Sequence, residues 1–193
     1  KIENTAPKPP VVSLSKYVFK TNEDIKAEIV TAASDADEDN VVLRYRWSKA
    51  GKPAGLPDTR DGIGAVESKK GDTWTLEVVP FDGMVEGIAA KLVFAIENTT
   101  PTAPEITFSN LTPTTRDTVG VVIKQPALDD DQDTLTYNYR WFRNGVWLKT
   151  WPANKQGLLP GEIKKGEFWR VEVRAFDGEG EGALAKAEFK VQN

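Results

Sequence analysis

The sequence predicts an all-β protein made of two tandem sandwiches of about seven short strands each. Three observations carry that expectation: an internal repeat, a strict alternation of apolar and polar residues within it, and turn-forming clusters between the alternating runs. The repeat is the strongest of the three, because self-similarity at domain length marks duplicated modules. Asp35-x-Asp37-x-Asp39 returns 94 residues later as Asp129-x-Asp131-x-Asp133, and Tyr45-Arg46-Trp47 returns at the same offset as Tyr139-Arg140-Trp141. Further on the offset is 95, so that Gly71-Asp72-Thr73-Trp74 matches Gly166-Glu167-Phe168-Trp169 and Phe81-Asp82-Gly83 matches Phe176-Asp177-Gly178. One residue is therefore inserted between Trp141 and Trp169. The modules are expected at 1–98 and 99–193. The joint between them, Asn98-Thr99-Thr100-Pro101-Thr102-Ala103-Pro104, carries two prolines whose fixed φ favours an extended, semi-rigid connector.

Inside each module the period is two. The second strand alternates Ile25-x-Ala27-x-Ile29, matched by Val119-x-Val121-x-Ile123. The third runs Leu43-x-Tyr45-x-Trp47 inward with Arg44 and Arg46 outward, and its twin is Tyr137-x-Tyr139-x-Trp141. The sixth buries Trp74, Leu76 and Val78, or Trp169, Val171 and Val173. The last buries Leu92, Phe94 and Ile96, or Ala187, Phe189 and Val191. Such alternation means sheets with one dry and one wet face. Gly, Pro, Asn and Asp between the runs supply the turns. Seven short strands in about 95 residues, with a tryptophan on the third, fit an immunoglobulin-like Greek-key sandwich. With no cysteine to staple the sheets, the paired tryptophans (Trp47 with Trp74, Trp141 with Trp169) must supply the centre of each core.

Composition removes whole classes of chemistry. The 193 residues include no Cys and no His. Disulfides, thiolate sites, imidazole metal sites and Ser-His or Cys-His catalysis are therefore excluded. Acids outnumber bases 29 to 25, for a net charge of −4, and no basic stripe is present, which argues against nucleic acid as a partner. No apolar run approaches the roughly 20 residues that span a bilayer, so membrane insertion is not expected. The chain opens at Lys1 without Met, and is expected to be a piece of a longer polypeptide.

The segments SDADEDNVVLRYRWSKAG and LDDDQDTLTYNYRWFRNG, followed by WTLEVVPFDG and WRVEVRAFDG, resemble the pattern of bacterial tandem Ig-like repeats. Those repeats stand close to the PKD and cadherin-like groups. The resemblance spans both modules, and its most specific parts are the D-x-D-x-D loop, the Y-x-W strand and the F-D-G. It implies an extracellular or cell-surface spacer or adhesion module, often calcium-stabilised. The glycine usual inside the acidic loop is absent from both copies, and Asn98 alone stands for the cadherin linker motif.

The residues argue for calcium independently. Asp at i, i+2 and i+4 of one loop concentrates hard oxygens that repel one another, and Ca²⁺ takes six to eight oxygens at about 2.3–2.6 Å. In an Ig-like sandwich the loop after the second strand and the loop after the sixth meet at one pole. The candidate ligands are therefore Asp35, Asp37, Asp39 and Asp82 in module 1 and Asp129, Asp131, Asp133 and Asp177 in module 2. Asn98 is a further oxygen donor for an ion that would stiffen the joint. The plain alternative is a solvated turn with Asx hydrogen bonds.

Trp147 and Trp151 have no aromatic counterpart in module 1, and are candidates to stack on a glycan or a cell-surface protein; the alternative is that they fold over the core as a lid. Arg46 and Arg140 are expected to pair with Glu77 and Glu172 across the strands. No cleft with separated carboxylates is foreseen, so no enzyme is expected. The functional expectation is a non-enzymatic extracellular structural or adhesion module that neighbours other modules of the same polypeptide. A carbohydrate-binding accessory module is the alternative.

Overall fold

The computed structural model describes residues 3–16 and 18–192. The chain divides into two compact units, Lys1–Thr99 and Thr100–Asn193, here modules 1 and 2. Among the described residues the one helical element is the 3-10 turn Ala65–Glu67; the regular structure is otherwise strand.

In module 1, β1 (Val11–Leu14) pairs with β3 (Ile25–Thr31), which pairs with β6 (Gly62–Ile63). The facing sheet has the order β2-β8-β7-β4-β5, from β2 (Phe19–Lys20), β4 (Val42–Lys49), β5 (Lys52–Pro53), β7 (Thr73–Phe81) and β8 (Ala90–Glu97). Module 2 repeats the plan. Its smaller sheet is β13-β10-β9, from β9 (Glu105–Phe108), β10 (Val119–Gln125) and β13 (Gly157–Leu158). The larger is β12-β11-β14-β15, from β11 (Thr136–Arg143), β12 (Val146–Trp147), β14 (Phe168–Phe176) and β15 (Glu181–Lys190). These are two immunoglobulin-like β-sandwiches.

The register follows the repeat. Trp47 faces Leu76 across β4 and β7, and Trp141 faces Val171 across β11 and β14. In each core two tryptophans meet edge to face, Trp47 with Trp74 at 6.4 Å and Trp141 with Trp169 at 6.2 Å. All four are buried, and by area each contributes on the order of 4 kcal/mol, an upper bound because the unfolded chain already hides some surface. The tryptophans of β4 and β11 also find partners: Trp47 Nε1 donates to Arg60 O at 2.9 Å and Trp141 Nε1 to Lys155 O at 2.8 Å.

The inserted residue can be placed. Ala54 and Leu148, 94 apart, donate to Trp47 O and Trp141 O; Asp58 O and Ala153 O, 95 apart, accept from Tyr45 N and Tyr139 N. The extra residue thus lies in 149–152, around Trp151.

One expectation is corrected. Arg46 stands opposite Glu77, and Arg140 opposite Glu172, but neither guanidinium binds that glutamate. Arg46 reaches Glu86 and Arg140 reaches Glu181, while Glu77 takes Lys91 and Glu172 takes Arg170 and Lys186. Arginine is long enough to pass its direct neighbour and clamp a carboxylate farther along the face: Glu86, which precedes β8 and binds Arg44 as well, or Glu181, the first residue of β15.

The N-terminal segment of each module crosses a glycine. A Cβ at Gly87 would lie 2.0 Å from Pro7 O, and one at Gly182 would lie 2.3 Å from Pro101 O. Only glycine lets the backbones approach so closely.

Candidate functional site

Each acidic loop is first a backbone device. Asp35 Oδ1 accepts from Asp37 N at 2.7 Å, with Asp39 N at 3.5 Å; Asp129 Oδ1 accepts from Asp131 N at 2.9 Å and Asp133 N at 3.3 Å. This is an Asx turn, formed because a short carboxylate reaches the amide two residues on. It carries the chain through the left-handed region at Glu38 (φ 64°) and Gln132 (φ 62°). Those are the places where a glycine would sit most easily, and the missing loop glycine is thereby explained: the chain adopts the conformation without it.

The second oxygen of the same residue behaves differently. Asp35 Oδ2 and Asp129 Oδ2 are buried and accept no hydrogen bond. Carboxylate oxygens of Asp35, Asp37 and Asp39 lie within 4.8 Å of one another in module 1, and those of Asp129, Asp133 and Asp177 do so in module 2. Ligands on opposite sides of one Ca²⁺ stand roughly 4.6–5.2 Å apart, so both sets are within the span one ion would need.

The two sets differ from the sequence expectation in membership. Module 2 brings Asp177 to Asp129 and Asp133, joining the two loops at one pole, and leaves Asp131 outside the cluster. Asp177 is 7% exposed and its Oδ1 accepts from Glu179 N at 2.7 Å and Gly180 N at 2.6 Å. In module 1, Asp82 is not in the cluster. Its Oδ1 accepts from Met84 N and Val85 N, both at 2.7 Å, and its Oδ2 accepts from Asn4 Nδ2 at 2.8 Å. The Val85 amide, followed by Asn4, holds the Asp82 carboxyl below the usual aspartate value. Thr5 N donates to Asp37 Oδ2 at 2.7 Å, so the chain before β1 is fastened to both acidic loops. Thr5 escapes a sequence reading because a backbone donor has no residue signature. Asn98 belongs to module 1, at its end.

The two extra tryptophans have separate fates. Trp151 is half-buried, stacked on Trp169 at 5.9 Å and edge-on to Trp141 at 6.5 Å, and it takes the place that Leu56 holds against the module 1 core. Trp147 is 42% exposed on the outer face of β12, stacked on Phe142 with ring centres 6.5 Å apart.

These features define the class of the protein: a tandem pair of Ig-like sandwiches, each with an acidic loop at one end. No protein-family model and no curated protein matches the chain. Solved structures do. A segment of two fibronectin type III domains from chicken tenascin is 13% identical, with 97% of this chain and 99% of that one covered, at a TM-score of 0.46. The chicken CNTN1 FN1–FN3 domains are 11% identical, with 98% of this chain and 68% of that one covered, at a TM-score of 0.39. No helix among the described residues is long and apolar enough to cross a membrane.

Proposed function

We propose that this chain is a non-enzymatic structural segment of a larger extracellular or cell-surface protein, whose two sandwiches each hold a Ca²⁺ ion in the acidic loop. The supporting observation is the repetition of one orphaned oxygen. Asp35 Oδ2 and Asp129 Oδ2 belong to equivalent residues of the repeat, both are buried, neither accepts a hydrogen bond, and each residue is a member of its module's carboxylate cluster. A buried acceptor with no donor is costly, and a cation both satisfies it and relieves the repulsion around it. Local amides already meet the needs of Asp35 Oδ1 and Asp129 Oδ1, so a solvated Asx turn accounts for one oxygen of each pair and not for the other. An ion that ties three loop carboxylates together would stiffen the pole, which suits a load-bearing spacer.

The test is thermal unfolding in EDTA and in about 1 mM Ca²⁺, the upper range for extracellular sites. Ligand that binds only the folded state adds about 1.4 kcal/mol per site at tenfold excess over Kd, so the midpoint should rise. Asp129→Asn should remove that rise for module 2, yet raise the midpoint in EDTA, because the neutral side chain no longer repels Asp133 and Asp177. Coincident curves for the unmodified chain would leave the loops as Asx turns and end the calcium reading.

A second reading, carbohydrate contact through module 2, is favoured by the exposure of Trp147 alone. Trp151, packed on Trp169, has no free face on which to stack a sugar comparable to that of Trp147.

A further inference from the structure

The two modules share a backbone plan and differ on one surface. On the outer face of the larger sheet, Ser48, Pro53 and Thr75 of module 1 correspond by register to Phe142, Trp147 and Arg170 of module 2. In the same way Val79 corresponds to Arg174. The fold does not need these changes, since module 1 forms the same sheet without them. Together they add two rings and two arginines to a face that in module 1 carries Arg44, Arg46 and Lys91 on Glu86 and Glu77.

The charges on that face do not cancel. Arg140 and Arg174 share Glu181, at 3.1 and 3.8 Å, and Arg170 and Lys186 share Glu172, at 3.3 and 3.8 Å. Glu188 stands opposite Arg170 in the register, so four cations face three carboxylates here, in a chain whose net charge is −4. Beside them the rings are flanked by positive groups. The Arg140 guanidinium lies 5.8 Å from the Trp147 ring centre, Lys149 Nζ lies 5.2 Å from it, and the Arg170 guanidinium covers Phe142 at 4.0 Å.

From this juxtaposition we infer that the outer face of the β12-β11-β14-β15 sheet docks an acidic polysaccharide, with Trp147 as the stacking platform and Arg140, Lys149 and Arg174 as the anion contacts. The inference rests on the carbohydrate reading of module 2 and adds the charge of the ligand. An exposed indole flanked by cations suits a ligand that alternates an apolar ring face with an anionic group. The C–H face of a sugar covers the ring, while its carboxylate or sulfate completes guanidinium groups that now share one glutamate. A neutral glycan would use the ring and leave the excess charge unanswered. An acidic peptide would answer the charge and leave the ring without a flat partner.

Three probes separate these cases: a heparin oligosaccharide with both features, a dextran oligosaccharide with the sugar only, and polyglutamate with the charge only. The whole chain should bind heparin best, more weakly as salt rises. Trp147→Ala and Lys149→Gln should each weaken heparin binding, the first about tenfold as expected for loss of an aromatic anchor. Lys52→Gln on module 1 removes the same charge and should change nothing. Unchanged thermal midpoints establish that the variants fold. No heparin binding, heparin binding indifferent to Trp147→Ala, or polyglutamate binding as tight as heparin would overturn the inference. Dextran binding without heparin binding would overturn it while sparing the carbohydrate reading, and silence with both sugars would end both.

Discussion

Trp74 and Trp169 fill the same place in their modules, yet only one has a partner for its indole. Trp169 Nε1 donates to Glu167 Oε2 at 3.1 Å, and the same oxygen accepts from Lys164 N at 2.9 Å. Module 1 has Asp72 at that position. Asp72 accepts from Lys69 N at 2.8 Å, but its shorter side chain leaves Trp74 Nε1 buried without an acceptor. Asp72→Glu is therefore expected to stabilise module 1 by about 1 kcal/mol, the net worth of one satisfied buried donor. Denaturant unfolding of the variant checks it, and an unchanged or lowered midpoint would show that the indole is satisfied in some other way. The sequence displays Asp72 and Glu167 as a conservative difference. That one methylene decides whether an indole is satisfied becomes visible only when the ring is placed.

At the scale of elements, the hairpin joining β4 to β5 makes a similar point. Ala50 (φ 48°) and Gly51 (φ 76°) form its turn, and Asn144 (φ 48°) and Gly145 (φ 82°) form the turn between β11 and β12. Asn-Gly suits two left-handed residues; alanine at the first position costs roughly 1–2 kcal/mol. Asn144 Oδ1 also accepts from Phe168 N at 2.9 Å, whereas Ala50 offers Thr73 N no side-chain acceptor. Ala50→Asn should stabilise module 1 by about 1–2 kcal/mol, read from its unfolding midpoint; no gain would mean that the turn relaxes without cost. The strands themselves were legible, since Leu43, Tyr45 and Trp47 alternate as a half-buried strand must. The pairing of the arginines was not, because a long side chain can pass its direct neighbour for whichever carboxylate the adjoining segments place farther along the face.

At the scale of the whole molecule, several carboxylates outside the Asp-rich loops are held in favoured settings. Asp82, Glu86, Glu67 and Glu162 all sit below their ordinary values. Glu86 is held down by Arg46 and Arg44, and Glu67 by Arg60 and the Gly64 amide; for Glu162 burial works the other way and is outweighed by the Leu159 amide and Lys155. A depressed folded-state value stabilises the fold above the unfolded value, near pH 4, and that stability is lost as pH falls through the folded value. Thermal midpoints should therefore hold steady near neutrality and drop below about pH 4, and should not decline on mild alkalinisation. A midpoint that rises on acidification would contradict the placement of these groups. Any bound Ca²⁺ would steepen the drop, because its ligands must be ionised.

The sequence by itself determined the duplication, the all-β class, the core tryptophans and the position of both acidic loops, because each is written in spacing or in a two-residue period. Only the tertiary structure decided which carboxylates converge. Asp177 joins Asp129 and Asp133, whereas Asp82 turns to Asn4 and its own loop amides. It also decided the two extra tryptophans: Trp151 lies on Trp169, and Trp147 stays in the open. Residue type says what a side chain can do, while the neighbours brought to it from distant parts of the chain select which of those things it does.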